Sequence, residues 1–355
     1  MVAHVYRYEE NPLVTPADIT PLWEGFEVIG AFNVGIARLG DEVLMLLRVA
    51  ERPVQEDSPF VSTAYFDLAA GKAVSVRLDR ADARYDFSDA RVVKDAHTGS
   101  TVYLTSISYL RLARSLDGRH FSIADHAFLL PATELETFGI EDPRITQIGE
   151  TYYITYSAVS PKGVGVGLAS TSDFTQASRH GLIFAPENKD VILFPERIGG
   201  LYYALTRPVP KAIGLPEIWI AESPDLLHWG NHRFLMGLRE GSWDNGRIGG
   251  GAVPLRTPAG WLELYHAADR QDRYCMGAVL LDADDPSQVL ARTPGPILEP
   301  ETEYELNGFF GGVVFSCGVL LDGDTIRMYY GVADTSVACA ELKLSDVLQQ
   351  LVYEV

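Results

Sequence analysis

Cysteine is scarce in this chain of 355 residues, which holds three, Cys275, Cys317 and Cys339. Their odd number and lack of metal-type spacing exclude a disulfide scaffold and a thiolate zinc site, and suit reduced thiols in a packed core. Basic residues are also in deficit. With 29 Lys and Arg against 48 Asp and Glu, the formal net charge is -19, which excludes unspecific binding to nucleic acid or an anionic membrane surface. Any anionic substrate must therefore meet a local basic pocket. No apolar run reaches the roughly 18 residues of a membrane-spanning helix. The start, MVAHVYRYEENPLVTP, has neither the basic n-region nor the apolar core of a secretory signal, so a cytoplasmic protein is expected. Helical periodicity is missing as well, except in LSDVLQQLVYEV near the end. A parallel α/β sheet would need a helix between its strands, so the chain reads as all-β with a short C-terminal helix.

What the chain does have is an ordinary 47% of hydrophobic residues and a repeated pair of strands at intervals of roughly 50 to 65 residues, several closing in a Ser-x-Asp turn. The clearest copies are DPRITQIGETYYITYSA (142–158), DVILFPERIGGLYYALTRP (190–208), GGGAVPLRTPAGWLELYHA (249–267) and GGVVFSCGVLLDGDTIRMYYGVAD (311–334). Weaker ones are FNVGIARLGDEVLMLLRVAE (32–51) and ARVVKDAHTGSTVYLTSIS (90–108). Each reads as strand, tight turn, aromatic-rich strand, loop and further strand. Similar units at regular spacing favour a β-propeller over a sandwich. The expectation is a single five-bladed propeller over residues 1–355. Six hairpins can be counted, and the charged segment from about 52 to 100 is taken as an insertion that enlarges the first blade.

In such a fold the first strands of all units end around one axis, where residues distant in sequence converge. The polar groups recurring there are Asn33 and Arg48, the run Glu141-Asp142-Pro143-Arg144, Lys189-Asp190 and Arg207, then Arg247, Tyr265 and His266, and finally Asp334. Asp142 follows the apolar pair Gly139-Ile140, a setting that could keep a carboxyl protonated as a general acid; the plainer alternative is that Asp142 and Arg144 pair with each other at a turn. Lys189, Arg207, Arg247 and His266 together could surround a phosphate, although singly each is more often a surface charge or a satisfied histidine. Arg48 ends the apolar strand VLMLLR, where a solvated role is less natural. Asn33 and Asp334 are of types that also cap turns. Trp243 or Tyr274 could stack on a sugar ring. GVGVG (163–167) lacks the helix of a dinucleotide site, and His228 with His232 lacks the further ligands of a zinc site.

These stretches together resemble glycoside hydrolase family 130, the β-mannoside phosphorylases and mannosidases. The resemblance rests on FNVG with LLR, GIEDPRIT, NKDVILFPERIGGLYYALTRP, EIWIAESPDLLHWGNHR, GRIGGGAVP, WLELYHA and YYGVADT, spread over about residues 32–335. It implies an inverting enzyme whose general acid is Asp142, with the proton relayed through a sugar hydroxyl. It implies a phosphate site of Lys189, Arg207, Arg247 and His266, and sugar contacts at Asn33, Arg48 and Asp334, beside the Tyr274 already considered. Inorganic phosphate would be the co-substrate, with no cofactor and no metal. The segment YLTSISYLRLARSLDG and the AVS after YYITYS resemble the branch acting on β-1,2-mannobiose and β-1,2-oligomannans, releasing α-mannose 1-phosphate. A β-1,2-mannosidase on the same fold, a β-1,4-mannoside phosphorylase and a non-catalytic sugar-binding propeller remain as alternatives. The expected partners are the β-mannoside and phosphate, with neither nucleic acid nor membrane; assembly into a homo-oligomer is left open.

Overall fold

The computed structural model describes residues 4–55 and 59–353. Glu56, Asp57 and Ser58, within the expected insertion, and Glu354 and Val355, at the end of the expected helix, lie outside the described residues. The described chain is all-β: apart from a single 3-10 turn at Pro16–Asp18, its helices are Glu303–Leu306 and Leu344–Gln350. The C-terminal helix is shorter than the sequence pattern suggested. It stops before Val352–Tyr353, which turns extended and pairs with Ala291 and Arg292.

Phe26–Leu39, Glu42–Pro53, Ile107–Ser115 and Ser122–Leu129 pair antiparallel in that order. They adjoin a second antiparallel set, Gly139–Ile148, Thr151–Ser160, Gly163–Thr171 and Ser178–Phe184, through one parallel pairing of Gly139 with Ser108. Asn188–Leu193, Tyr202–Pro208, Ile218–Ser223 and Gly230–Met236 form the next sheet. The segment from Arg247 to Arg292 follows as strands broken midway, giving two adjacent small sheets. Val314–Asp322, Thr325–Val332 and Ser336–Lys343 complete the series, and the N-terminal Tyr6–Arg7 adds their outermost strand.

The strand VLMLLR shows how these sheets stack. Val43 to Leu47 are buried without alternation because each face meets a different neighbour. Leu44 and Leu46 pack with Ile145 and Ile154 of the second set, whereas Met45 and Leu47 pack with Tyr329 and Cys339 of the last. The same face-to-face contact continues around the chain. Val166 and Leu168 meet Val191 and Ala204; Ile192 and Leu205 meet Trp261 and Val279; Leu262 and Leu280 meet Val314 and Met328. The last sheet thus closes on the first.

Three of the outer turns share one device. Ser115, Thr171 and Ser223 each accept, on the side-chain oxygen, the N–H of the residue three positions on. Those recipients, Gly118, Phe174 and Leu226, all have positive φ, so the Ser-x-Asp signal marks a repeated left-handed turn. The segment from Phe60 to Leu104 does not widen the first set. It forms its own five-stranded sheet in the order Lys72–Asp79, Phe60–Asp67, Thr101–Leu104, Val92–Asp95, Tyr85–Asp86. It accounts for the sixth hairpin.

One buried carboxyl in this frame has a pH signature. Glu263 is fully buried, and its Oε1 accepts the Gly251 N–H at 2.9 Å. Burial pushes its pKa up to about 8, against the Gly251 hydrogen bond and the Arg144 charge. The folded protein keeps this proton up to about pH 8, while the unfolded chain releases it near the ordinary value of 4.5. The stability it contributes is therefore full below that value and falls as pH rises toward 8. Glu263→Gln keeps an acceptor for Gly251 and removes the titration. Its Tm relative to wild type, followed by thermal unfolding, should climb between pH 5 and 8 as an order-of-magnitude window; a constant difference across that range would contradict the assignment.

Candidate active site

The first strands of three sets each carry a bulge at the same place, and each bulge holds a left-handed Asn or Asp. The pairing register shifts between Phe32 and Gly35, between Glu141 and Arg144, and between Lys189 and Ile192. Asn33, Asp142 and Asp190 sit there with φ of 49, 50 and 54°. Asn and Asp tolerate this region better than other non-glycine residues, and a bulge re-aims a side chain at the end of a strand. Close approach is made possible by glycine. A methyl group at Gly331 would lie 2.2 Å from Asn33 Oδ1, and one at Gly249 would lie 2.7 Å from His266 Nε2 and 2.8 Å from Asp190 Oδ2.

Asp142 is at the centre of one group. Its Oδ1 accepts hydrogen bonds from Asn33 Nδ2 and Arg48 Nη1, both at 2.9 Å. Arg48 also donates from Nη2 to Glu141 Oε1 at 2.9 Å and from Nε to Ser108 Oγ at 3.1 Å, with its guanidinium 4.6 Å from the Phe32 ring centre. Burial opposes ionisation of the Asp142 carboxyl, but Arg48, Lys189, Arg144 and the Asn33 amide outweigh it and hold its pKa below the usual carboxylate range. This corrects the expectation from the apolar Gly139-Ile140 neighbours: the acid candidate is ionised in the free site. Asp334 behaves oppositely. Burial, with Asp142 and Glu141 nearby, outweighs Arg48 and Arg91 and raises its pKa to about 6.

A second group surrounds Asp190. Its Oδ2 forms an ion pair with Arg207 Nε at 2.8 Å and lies 3.3 Å from His266 Nε2. Burial raises its pKa and the facing Arg207 guanidinium, with Arg144 behind it, lowers it; the net effect leaves it well below the ordinary value. His266 is pushed down to about 4, by burial first and against the Asp190 charge, so its imidazole is neutral near pH 7. Tyr274 stacks beside it with ring centres 6.3 Å apart. Arg247 lies with its guanidinium 5.2 Å from the Tyr274 ring centre and pairs with Asp272.

Arg144 joins the two groups. It donates from Nη1 to the Asp142 carbonyl at 2.9 Å, from Nη2 to Asp190 Oδ1 at 3.2 Å and to the Gly250 carbonyl at 3.0 Å, and from Nε to the Gly251 carbonyl at 3.1 Å. The alternative in which Asp142 and Arg144 pair side chain to side chain is not what forms. The inserted sheet reaches the same place: a cavity of about 110 Å³ is lined by Phe32, Arg48, Glu141 and Asp334 together with Arg91, Val92 and Leu104. A wider groove of about 650 Å³ beside Glu42, Arg114 and His120 contains none of these groups.

All nine singled-out residues thus fall in or beside this connected region, Lys189 through its field on Asp142 and its register opposite Arg207. Sequence reasoning gave no role to Asp190 and none to Glu141, and missed Arg91; the bulge position shared by FNV, EDP and KDV was the available signal for Asp190. Trp243 is less available for stacking, because it lies against Tyr265 with ring centres 5.7 Å apart. Tyr265 itself donates to Asp244 and accepts from Arg292. His228 is bonded to Asp225, and no group of three or more His, Cys, Asp or Glu that could hold a metal occurs among the described residues. No helix among them is long and apolar enough to cross a membrane.

Comparison with known proteins gives this arrangement a family. The profile of glycoside hydrolase family 130, described as β-1,4-mannooligosaccharide phosphorylase, matches residues 90–354. The chain is 56% identical to a β-1,2-mannobiose phosphorylase of Listeria innocua serovar 6a, over 99% of both chains. It is 41% identical to a 1,2-β-oligomannan phosphorylase of a Thermoanaerobacter species, over 68% of this chain and 80% of that one. The solved structure of the Listeria innocua β-1,2-mannobiose phosphorylase in complex with β-1,2-mannobiose superposes with a TM-score of 0.95 at 54% identity, covering 98% of this chain and 99% of that chain. Similarity of this extent in sequence and fold places the chain in glycoside hydrolase family 130.

Proposed function

We propose that the protein is an inverting phosphorylase of β-1,2-mannobiose and β-1,2-mannooligosaccharides, releasing α-mannose 1-phosphate. The observation that carries this reading is the buried bridge through Arg144, which ties the backbone carbonyl of Asp142 to the Asp190 carboxylate that Arg207 and His266 face. The β-1,2 linkage follows from the relative that is 56% identical over nearly the whole chain, which outweighs the β-1,4 description attached to the family profile. The whole chain acts as one catalytic unit, a five-bladed propeller. Its blades are the four four-stranded sets together with the broken set Arg247–Arg292, and the ring of cores that closes the last sheet on the first supports that count.

In this reading Asn33, Arg48, Asp334 and Tyr274 hold the mannose to be transferred, while Lys189, Arg207, Arg247 and His266 receive phosphate. A phosphate oxygen attacks the anomeric carbon from the face opposite the leaving sugar. The glycosidic bond breaks as the new C–O–P bond forms, and Asp142 supplies a proton to the leaving oxygen through a sugar hydroxyl. The hydrogen of hydrogenphosphate balances that proton over the cycle. Phosphate is already a nucleophile, so positioning suffices, whereas an inverting hydrolase needs a second carboxylate as base for water. Asp142 is ionised before phosphate arrives, and the incoming anion offsets the field of Lys189 and Arg144 that lowers its pKa. Arg48, the largest lowering influence, stays in place, so phosphate binding shifts the acid upward, toward its protonated form, as well as bringing the nucleophile.

Incubation with β-1,2-mannobiose should consume the disaccharide only when phosphate is present, giving mannose and α-mannose 1-phosphate by proton NMR. Free mannose as the only sugar, with no phosphate requirement, would favour the mannosidase. α-Mannose 1-phosphate and mannose should give a 1,2-linked product in reverse, and a 1,4-linked one would overturn the linkage alone. Asp142→Asn should stay folded and lose about a hundred- to ten-thousand-fold in kcat, the usual worth of a general acid. Wild-type rates from the folded variant would remove Asp142 from the mechanism.

A further inference from the structure

We propose that Asp190 is the positioning residue of the anion pocket, its buried carboxylate fixing the Arg207 guanidinium and the His266 imidazole where they receive phosphate. The proposal rests on the phosphorolytic reading above and adds a residue that the resemblance did not assign. Asp190 is only 1% exposed, so it acts through its neighbours rather than by touching substrate. Those neighbours come from different parts of the chain: Arg207 lies on the adjoining strand of its own sheet, Arg144 on the preceding set and His266 on the following one. Two guanidinium groups brought this close would repel each other without a shared anion. Asp190 supplies it, with Oδ1 hydrogen-bonded to Arg144 and Oδ2 at ion-pair distance from Arg207 and His266, outside hydrogen-bond geometry with either.

The same carboxylate chooses the histidine tautomer. A nitrogen lone pair facing a carboxylate is repelled, so Nε2 carries the hydrogen and Nδ1 is left as an acceptor, which suits the P–OH of hydrogenphosphate and not its anionic oxygens. His266 Nδ1 is buried without a hydrogen-bond partner among the described residues. The backbone supports a dedicated position: Asp190 is held at φ 54°, and the absent side chain of Gly249 leaves the room in which Asp190 and His266 meet. A left-handed non-glycine residue is kept where the surroundings over-determine it.

The test is steady-state phosphorolysis of β-1,2-mannobiose by wild type, Asp190→Asn and Gly249→Ala, varying phosphate and disaccharide separately, with nitrogen-15 NMR of the histidine rings. Losing the shared buried charge should raise KM for phosphate roughly ten- to a hundredfold in Asp190→Asn, with KM for the disaccharide nearly unchanged. Gly249→Ala, which pushes the pair apart, should move KM the same way. The His266 signals should report the Nε2–H tautomer in wild type and lose that single form in Asp190→Asn. Unchanged phosphate KM in both variants, or a fall in kcat alone with the tautomer retained, would overturn the proposal. Failure of the phosphorolytic reading shows separately, as mannose release by wild type without phosphate.

Discussion

The buried guanidinium of Arg144 is the constraint on which the site depends. It is 1% exposed, and such a group must have its donors satisfied. Its partners are the Asp142 and Gly250 and Gly251 carbonyls and the Asp190 carboxylate. The backbone that presents Asp142 is thereby tied to the carboxylate that gathers Arg207 and His266. Glu263 extends the tie, because it holds Gly251 by its N–H while Arg144 holds the same residue by its carbonyl.

The ring of sheets exists, in functional terms, to make this juncture possible. Three bulges at equivalent places turn Asn33, Asp142 and Asp190 inward. The large cores lie between successive sheets, as the two faces of VLMLLR show, and leave the strand starts free for polar groups. Tyr6–Arg7 and Val352–Tyr353 each add a strand to a sheet made elsewhere in the chain. Arg7 then reaches Glu305 at 2.8 Å, fastening the beginning of the chain near its end.

Local pattern carried much of the fold, because strand, turn and strand are neighbours in sequence. VLMLLR and the Ser-x-Asp turns are read where they stand. It failed for the hairpin around Val92–Asp95 and Thr101–Leu104, since the same local pattern serves a separate sheet and pairing partners are distant. For the site, residue types and their recurrence pointed to Asp142 and Arg48, but not to charge state. The apolar neighbours of Asp142 suggested a protonated carboxyl, while its ionisation is set partly by Arg48, 94 positions away. Asp190 was hidden for a similar reason: an aspartate opening a β-rich run reads as a turn cap until Arg144, Arg207 and His266 are seen to meet on it.

The central claim is that the proposed proton donor and the proposed phosphate site form one electrostatic unit, so that phosphate changes the protonation of Asp142. Infrared difference spectroscopy with carbon-13-labelled aspartate reads this directly near pH 7. Adding phosphate to wild type should produce a protonated-carboxyl band that is absent from Asp142→Asn. A band already present before phosphate, or none after saturation, would contradict the coupling.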